Sequence, residues 1–400
     1  MLARILLISG SHPPLKDGVG DYCSLLAKWM AERSGMEVHV LTSRGCAKPA
    51  GSGAEMHPVI ERWDWLGLRS VLREISRIKP DLVHIHYPTL GFNRSLMPNL
   101  LPAVLRLLSG PPAVVTLHGF GLYSVLGKIR MLLSCAGSRA VVTVSDHIRR
   151  SVSDFAGDMG PFTPLKGKLA EPIYVAPSIR PPGQGSRRRA AALRKSWAVP
   201  KGELAIVFFG FINEGKGLDD LLRAAKLCLD SGVGPRITCL SDFNPRQDHF
   251  HGRLEALIRE LGLASRVSFA GYIPEEDVAG HIMAADVVAL PFNYGASTKR
   301  TTLLTALSCG MPVITTSDTC LPPIFADGTN VILVPRKNPS MLSRALIRLA
   351  GDPVLRKRLG LGARRLARRF VWKDIAGAHL SLYGRVLSGA HAGRTGKDKS

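Results

Sequence analysis

The stretch from Asp286 to Thr316, DVVALPFNYGASTKRTTLLTALSCGMPVITT, constrains the fold more than any other part of this chain. Asp286 to Pro291 is a short, β-branched apolar run of the kind that forms a strand buried on both faces. Asn293 to Lys299 is small and polar, with Gly295 permitting an unusual backbone turn. Thr301 to Cys309 then places Leu303, Leu304 and Leu307 on one helical face. Gly310 stands at the C-cap position, and a second strand follows. The unpaired N–H groups of the helix's first turn face the polar loop, a ready site for phosphate.

The same alternation runs through the whole sequence. Strands are expected at Ile5–Ser9, Val38–Thr42, Leu82–His86, Ala113–Leu117, Ala140–Val144 and Ile173–Ala176, and helices at Tyr22–Arg33, Leu68–Ile78, Pro98–Leu108 and Lys128–Cys135. After IRPPGQGSRRR the pattern restarts, with strands at Leu204–Phe209, Ile237–Leu240, Val267–Phe269, Val287–Pro291, Val313–Thr315 and Val331–Val334. Such order argues for an α/β protein with two successive parallel-sheet, Rossmann-like domains. The expected parts are an N-terminal domain at 1–180, a linker at 181–199, a C-terminal domain at 200–370, a closing helix at 371–388 and a disordered tail at 389–400. Ligands of open α/β sheets bind at the strands' carboxyl edges, so a cleft between the two sheets is the expected site.

Composition narrows the class. Four hundred residues, 46% hydrophobic and 21% charged, suit a globular protein with two cores. No apolar run reaches the roughly 18 to 20 residues of a membrane span. The chain enters its first strand at ARILLISG without a signal-peptide cleavage site. Seven scattered cysteines without a C-x-x-C pair point to a reduced cytoplasm. The net charge of +22 is concentrated: residues 336–400 hold 16 Lys or Arg against three Asp, and residues 180–195 hold six bases and no acid. Arg364, Arg365, Arg368 and Arg369 recur at helical spacing around Leu366 and Phe370. They form a solvated face, a surface for an anionic membrane leaflet, or a steering field for a phosphorylated substrate. Nucleic acid is disfavoured, since aromatics are 6% and no recognition motif occurs.

The segment from Asp286 resembles the retaining GT-B glycosyltransferases, specifically the glycosyl transferases group 1 family (glycosyltransferase family four). That family carries a pattern close to E-G-F-G-L-P-x-x-E-A-M-A-C-G-x-P-V here. Ala306, Cys309, Gly310, Pro312 and Val313 match it. The family's two glutamates fall on Ser297 and Thr305, and its Gly-Phe-Gly on Thr298, Lys299 and Arg300. FFGFINEGKGLDDLL matches G-R-x-x-x-x-K-G at Gly210, Lys216 and Gly217, with Phe211 in place of the arginine. RRFVWKDIAGAHLSLYGRVL resembles the family's closing F-x-W-x-x-I-A helix, which crosses back to cover the N-terminal domain.

The resemblance implies a GT-B fold and transfer of a sugar from a nucleotide-sugar donor, with retention, to a glycan or lipid-linked acceptor. It implies donor contacts from Gly210, Lys216, Ser297, Thr298, Lys299, Arg300, Thr301, Thr302 and Thr305. Lys299 or Arg300 would supply the phosphate cation that Phe211 cannot. Lys216 would hold the charge of the departing diphosphate, and His118, ending AVVTLHG, would contact the donor sugar near its reacting carbon. The bland reading of His118 is a core or hinge histidine. Gly18 and Gly20 in KDGVGDY are either diphosphate contacts or an ordinary strand-to-helix turn. His84 and His86 share one strand face; packing or acceptor contact at His86 is favoured over a metal, because no third ligand is visible. Ser145 reads first as a helix N-cap and second as an acceptor contact.

Neither D-x-D nor H-E-x-x-H occurs, so no metal or cofactor is expected for a transfer in which lysine, amides and a helix dipole stabilise the leaving group. The expected place is the cytoplasm, peripherally on the inner membrane face. Loss of the glutamates and arginine leaves two rivals: a catalytically impaired partner subunit, and a nucleotide-sugar epimerase on the same frame.

Overall fold

Ile5, Leu6, Leu7 and Ile8 are wholly buried, which an isolated amphipathic strand would not allow. They belong to β1 (Arg4–Ile8) of a computed structural model that describes residues 3–15, 17–33, 35–47, 53–121, 123–158, 165, 167–179, 182–318 and 321–395. The chain divides into two units, residues 1–175 with 372–400, and residues 176–371.

In the first unit, β1 is joined by β2 (Glu37–Ser43), β3 (Glu55–Ile60), β4 (Leu82–Tyr87), β5 (Ala113–Leu117) and β6 (Ala140–Thr143), all pairing in parallel in the order β3-β2-β1-β4-β5-β6. Its crossover helices are α1 (Gly18–Arg33), α2 (Leu68–Ile78), α3 (Met97–Leu107), α4 (Val125–Ala136) and α5 (Asp146–Asp158).

The second unit opens with α6 (Gln184–Ser196), then runs β7 (Leu204–Phe209), α7 (Leu218–Asp230), β8 (Pro235–Leu240), α8 (His249–Glu260), β9 (Val267–Phe269), α9 (Glu275–Met283), β10 (Val287–Leu290), α10 (Thr301–Ser308), β11 (Val313–Ser317), β12 (Ile332–Pro335), α11 (Pro339–Gly351) and α12 (Pro353–Ala367). Its sheet order, β12-β11-β10-β7-β8-β9, repeats the first unit's topology. Each sheet therefore has one switch point, between β1 and β4 and between β7 and β10, where neighbouring connections leave in opposite directions and open a crevice. The last helix, α13 (Trp372–Thr395), belongs to the first unit and lies against α1. The expected α/β GT-B architecture is what the two sheets display.

Four expectations need correction. Residues 181–199 were expected as a linker, but from 182 on they fold largely into α6, because the alanines after the arginine run favour helix and Arg189 and Arg194 find Asp277 (3.2 Å) and Asp286 (2.9 Å). Ile173–Ala176 is no strand; Ile173 N–H bonds Thr143 O at 3.0 Å without a ladder forming. β3 went unrecognised, its EMHPVI lacking clean alternation and containing Pro58, which only an edge strand tolerates. The expected tail from 389 is helical to Thr395, as α13 continues without a proline to end it, and 396–400 lie outside the described residues.

Candidate functional site

The second unit's switch point is built by the two loops that leave β7 and β10. Gly210 follows β7 at φ 113°, a conformation side chains resist, and a Cβ there would stand 2.7 Å from Thr302 Cγ2. The loop then turns through Asn213, whose side chain accepts from Gly215 N–H at 3.0 Å, and delivers Lys216. Gly217, at φ 70°, lies so close to the other loop that a Cβ would meet Pro291 O at 2.0 Å. Asn293 N–H donates to Gly215 O at 3.1 Å, which ties the loops together.

Cations gather in this crevice. Lys216 Nζ lies 5.3 Å, and Arg300 Cζ 4.6 Å, from the centre of the buried Phe292 ring, so one aromatic ring serves both. Burial, and secondly the Arg300 charge, push Lys216 down to about 8. The same two causes lower Lys299. Burial lowers Arg300 as well, against the pull of Asp318 and Tyr294. Among the described residues, no carboxylate lies within ion-pair distance of Lys216 or Lys299. Half-buried positive charge without counter-charge is unfavourable unless an anion completes it.

The polar atoms agree. Ser297 Oγ, Thr298 Oγ1, Arg300 Nε, Thr302 Oγ1 and Thr305 Oγ1 are all buried without a hydrogen-bond partner, and no side chain caps α10, which begins at Thr301. Native structures rarely leave so many such groups together. An uncapped helix start, unpaired hydroxyls and three cations suit an anion rich in acceptor oxygens.

The corresponding crevice of the first unit is filled by protein. A Cβ on Gly91 would stand 1.8 Å from Gly10 O, and one on Gly10 would meet Phe92 at 2.5 Å. Asp17 accepts from Val19 N–H (3.0 Å) and Leu90 N–H (2.8 Å), and so supplies a carboxylate at the start of α1. Gly18 and Gly20 are the first and third residues of α1 itself, not of a preceding loop. Gly20 packs against Ser11 O, where a Cβ would lie at 2.7 Å, whereas Gly18 faces open space. Asp21, in the same turn, is raised to about 6 by burial and then by the Asp17 charge.

Beyond this turn lies a histidine cluster in which His84, His86 and His379 are buried and His118 is partly exposed. His86 Nδ1 and His118 Nε2 share a hydrogen bond of 3.2 Å, His118 N–H donates to Tyr87 O at 2.8 Å, and Tyr22 meets the His118 ring edge-on at 5.0 Å. His86 Nε2 is buried without a partner. His84 spends both nitrogens, on Tyr383 Oη (2.5 Å) and Thr116 Oγ1 (2.7 Å), so it is a packed core residue and not a metal ligand. Burial lowers His84 and His86 far below the ordinary histidine range and takes His379 to about 3, leaving these rings neutral near pH 7. Ser145 Oγ accepts from Ile148 N–H at 3.2 Å, the capping arrangement.

The structure thus brings Gly210, Lys216, Lys299, Arg300 and Thr302 together in one crevice, and His86 with His118 in another place; Gly18, Gly20 and Ser145 join neither group. Phe292 and Asp17 went unnoticed in the sequence. A signal for Phe292 existed in its position two residues past the strand, where the chain turns over the sheet edge.

Residues 190–366 match the family model described as Glycosyl transferases group 1, and residues 16–159 match Glycosyltransferase Family 4. Similar proteins include the D-inositol 3-phosphate glycosyltransferase of Streptomyces bingchenggensis, 34% identical over 63% of this chain, and that of Salinispora arenicola, 28% identical over 96%. The match spans 56% of the first relative's length and 92% of the second's. Among solved structures, sucrose-phosphate synthase from Thermosynechococcus elongatus superposes with a TM-score of 0.75 at 19% identity, covering 97% of this chain and 100% of that one. Anabaena HepE in complex with UDP-glucose gives 0.73 at 16% identity, covering 96% and 99%.

Proposed function

Because the chain belongs to the glycosyl transferases group 1 family, with the GT-B fold, we propose that it transfers a hexose from a nucleoside-diphosphate sugar to a hydroxyl acceptor, with retention of configuration and without a metal. The observation that carries this is the crevice at β7 and β10: two half-buried lysines without counter-charge beside unpaired hydroxyls and a bare helix start. A diphosphate satisfies all three at once. Lys216 and Arg300 hold its charge as the glycosidic bond breaks, and Lys299 adds to the field. Thr305 stands where the family has a glutamate and gives the ribose a neutral hydrogen bond; Ser297 does the same for the sugar. In the first unit, His118, oriented by His86 and Tyr22, is the proposed contact to the donor sugar, with Gly18 and Gly20, in the first turn of α1, as further proposed contacts. That HepE is solved with UDP-glucose makes a uridine nucleotide the first donor to try.

The proposed acceptor is a glycan or lipid-linked molecule at an anionic membrane surface, with Ser145 and His86 as contacts. Lys357, Arg358, Arg364 and Arg365 are exposed on α12, and no helix among the described residues is long and apolar enough to cross a membrane. The relatives' name favours a second acceptor, a phosphorylated cyclitol, which the positive surface would equally attract. Titration with UDP, GDP and ADP, followed by NMR of the product's anomeric proton, tests the proposal. Binding of a nucleotide sugar and an axial-to-axial or equatorial-to-equatorial outcome supports it. No binding of any nucleotide sugar would leave the impaired-subunit reading, and product without acceptor would leave the epimerase.

A further inference from the structure

The edge of the first unit's sheet carries a constellation that sugar transfer does not use. β2 and β3 pair in parallel with His39 opposite Glu55 and Leu41 opposite His57, so the three side chains emerge on one face of two adjacent strands. His39 Nδ1 and His57 Nε2 face each other at 2.9 Å. The Glu55 carboxylate addresses the same two atoms, 3.6 Å from His39 Nδ1 and 3.7 Å from His57 Nε2. All three ligand atoms lie within 4.8 Å of one another. Both rings are buried, while Glu55 is 61% exposed and leaves the outer side open to water.

We propose that His39, Glu55 and His57 bind a divalent cation of the zinc type, a structural clip between β2 and the edge strand β3. Two imidazoles and a carboxylate are the donor set of such ions, with water as fourth ligand. Tetrahedral bonds of about 2.0 to 2.1 Å put donor atoms about 3.3 Å apart. The nitrogens must open, and the carboxylate close, by a few tenths of an ångström. The outer shell supports this arrangement. Glu37 Oε1 lies 2.9 Å from His39 Nε2 and, as an acceptor, fixes the proton there, so the Nδ1 lone pair points into the site.

Arg77 works the other way. Its guanidinium donates to His57 Nδ1 at 2.7 Å, which holds that nitrogen unprotonated and leaves the proton on Nε2. On metal binding, Nε2 gives its lone pair to the cation and the ring carries its proton on Nδ1. Arg77 must then swing out, which its 57% exposure permits. Arg77 is thus a gate on affinity, and its removal has a sign that a damaged fold cannot imitate.

The test is calorimetric titration of the tag-free, full-length protein with Zn²⁺ and Ni²⁺, alongside Co²⁺ absorption. One equivalent is expected, with the visible bands of a four-coordinate ion. His57→Gln and Glu55→Gln should each weaken binding by at least tenfold, and Glu37→Gln by about tenfold to a hundredfold. Arg77→Ala should tighten it severalfold. Far-ultraviolet circular dichroism and the metal-free melting temperature of each variant serve as the control for folding of the first unit. Absence of binding at millimolar metal, or equal affinity in wild type, His57→Gln and Glu55→Gln, would overturn the site; an Arg77→Ala variant no tighter than wild type would overturn the gate.

Discussion

Replacing Lys216 by Met should move stability and donor binding in opposite directions. Burial and the neighbouring Arg300 charge hold this ammonium at about 8 against an ordinary 10.5. At about 1.4 kcal/mol per unit, the charged form therefore costs folding roughly 3 kcal/mol at pH 7. Methionine keeps the length and the contact with Phe292 but removes the charge, so the second unit should gain about 2 kcal/mol after imperfect packing is allowed for. For a body of this size, that is a rise in melting temperature of roughly 4 to 8 °C. Donor binding should fall instead. An ammonium about 4 Å from a diphosphate charge, at an effective dielectric constant near 20, contributes about 4 kcal/mol. The expected loss in UDP affinity is then about a hundredfold to a thousandfold. The depressed value also sets the pH course: the penalty is complete below pH 8 and disappears toward pH 10.5. Wild type should gain on the variant across that window, while its own UDP affinity declines as the free ammonium deprotonates. Scanning calorimetry with and without UDP at pH 7 and 9.5 reads all of this. A variant that melts lower than wild type at pH 7 yet binds UDP equally well would refute the reasoning.

Other substitutions probe the same physics. Thr305→Val removes a buried hydroxyl without a partner, so the ligand-free protein should be unchanged or slightly more stable while UDP binding weakens by about 5- to 10-fold. Equal UDP affinity would exclude that hydroxyl from the nucleotide site. Asp21 is raised to about 6, so its charge opposes folding above that pH and the opposition fades as pH falls toward 4. Asp21→Asn should therefore stabilise by roughly 2 kcal/mol at pH 7 and by little at pH 4, as urea midpoints at the two values would show. Tyr383→Phe strands His84 Nδ1 in the core and should destabilise the first unit by about 1 to 3 kcal/mol without altering UDP affinity. Co-sedimentation with anionic vesicles should be strong at low salt and lost at high salt; equal binding to neutral vesicles would rule out the electrostatic account.

Much of the fold was legible because a strand's period of two and a helix's of 3.6 are written locally. Val287–Leu290 and Leu303–Leu307 betray strand and helix from their own spacing, and Gly210 and Gly310 mark turns that only glycine enters easily. β3 was missed because an edge strand with a proline and two polar residues carries no such period. α6 was missed because arginine and proline beside it read as a linker until the acids of the second unit supplied partners. The candidate crevice was legible in outline from Lys216 and the 297–305 segment. Its character was not, since whether a hydroxyl has a partner depends on residues scores of positions away.

Sequence alone settled that this chain builds two parallel α/β sheets and places small polar residues where one of them ends. Tertiary structure decided which of two topologically equal crevices stays available. The first is plugged by Gly10 meeting Gly91 and capped by Asp17; the second keeps its cations and hydroxyls unsatisfied. It also decided that His39, Glu55 and His57 meet at all. The physical reason is common to both: local spacing fixes which face a side chain takes, whereas register and close approach arise between segments that touch only after the chain has folded.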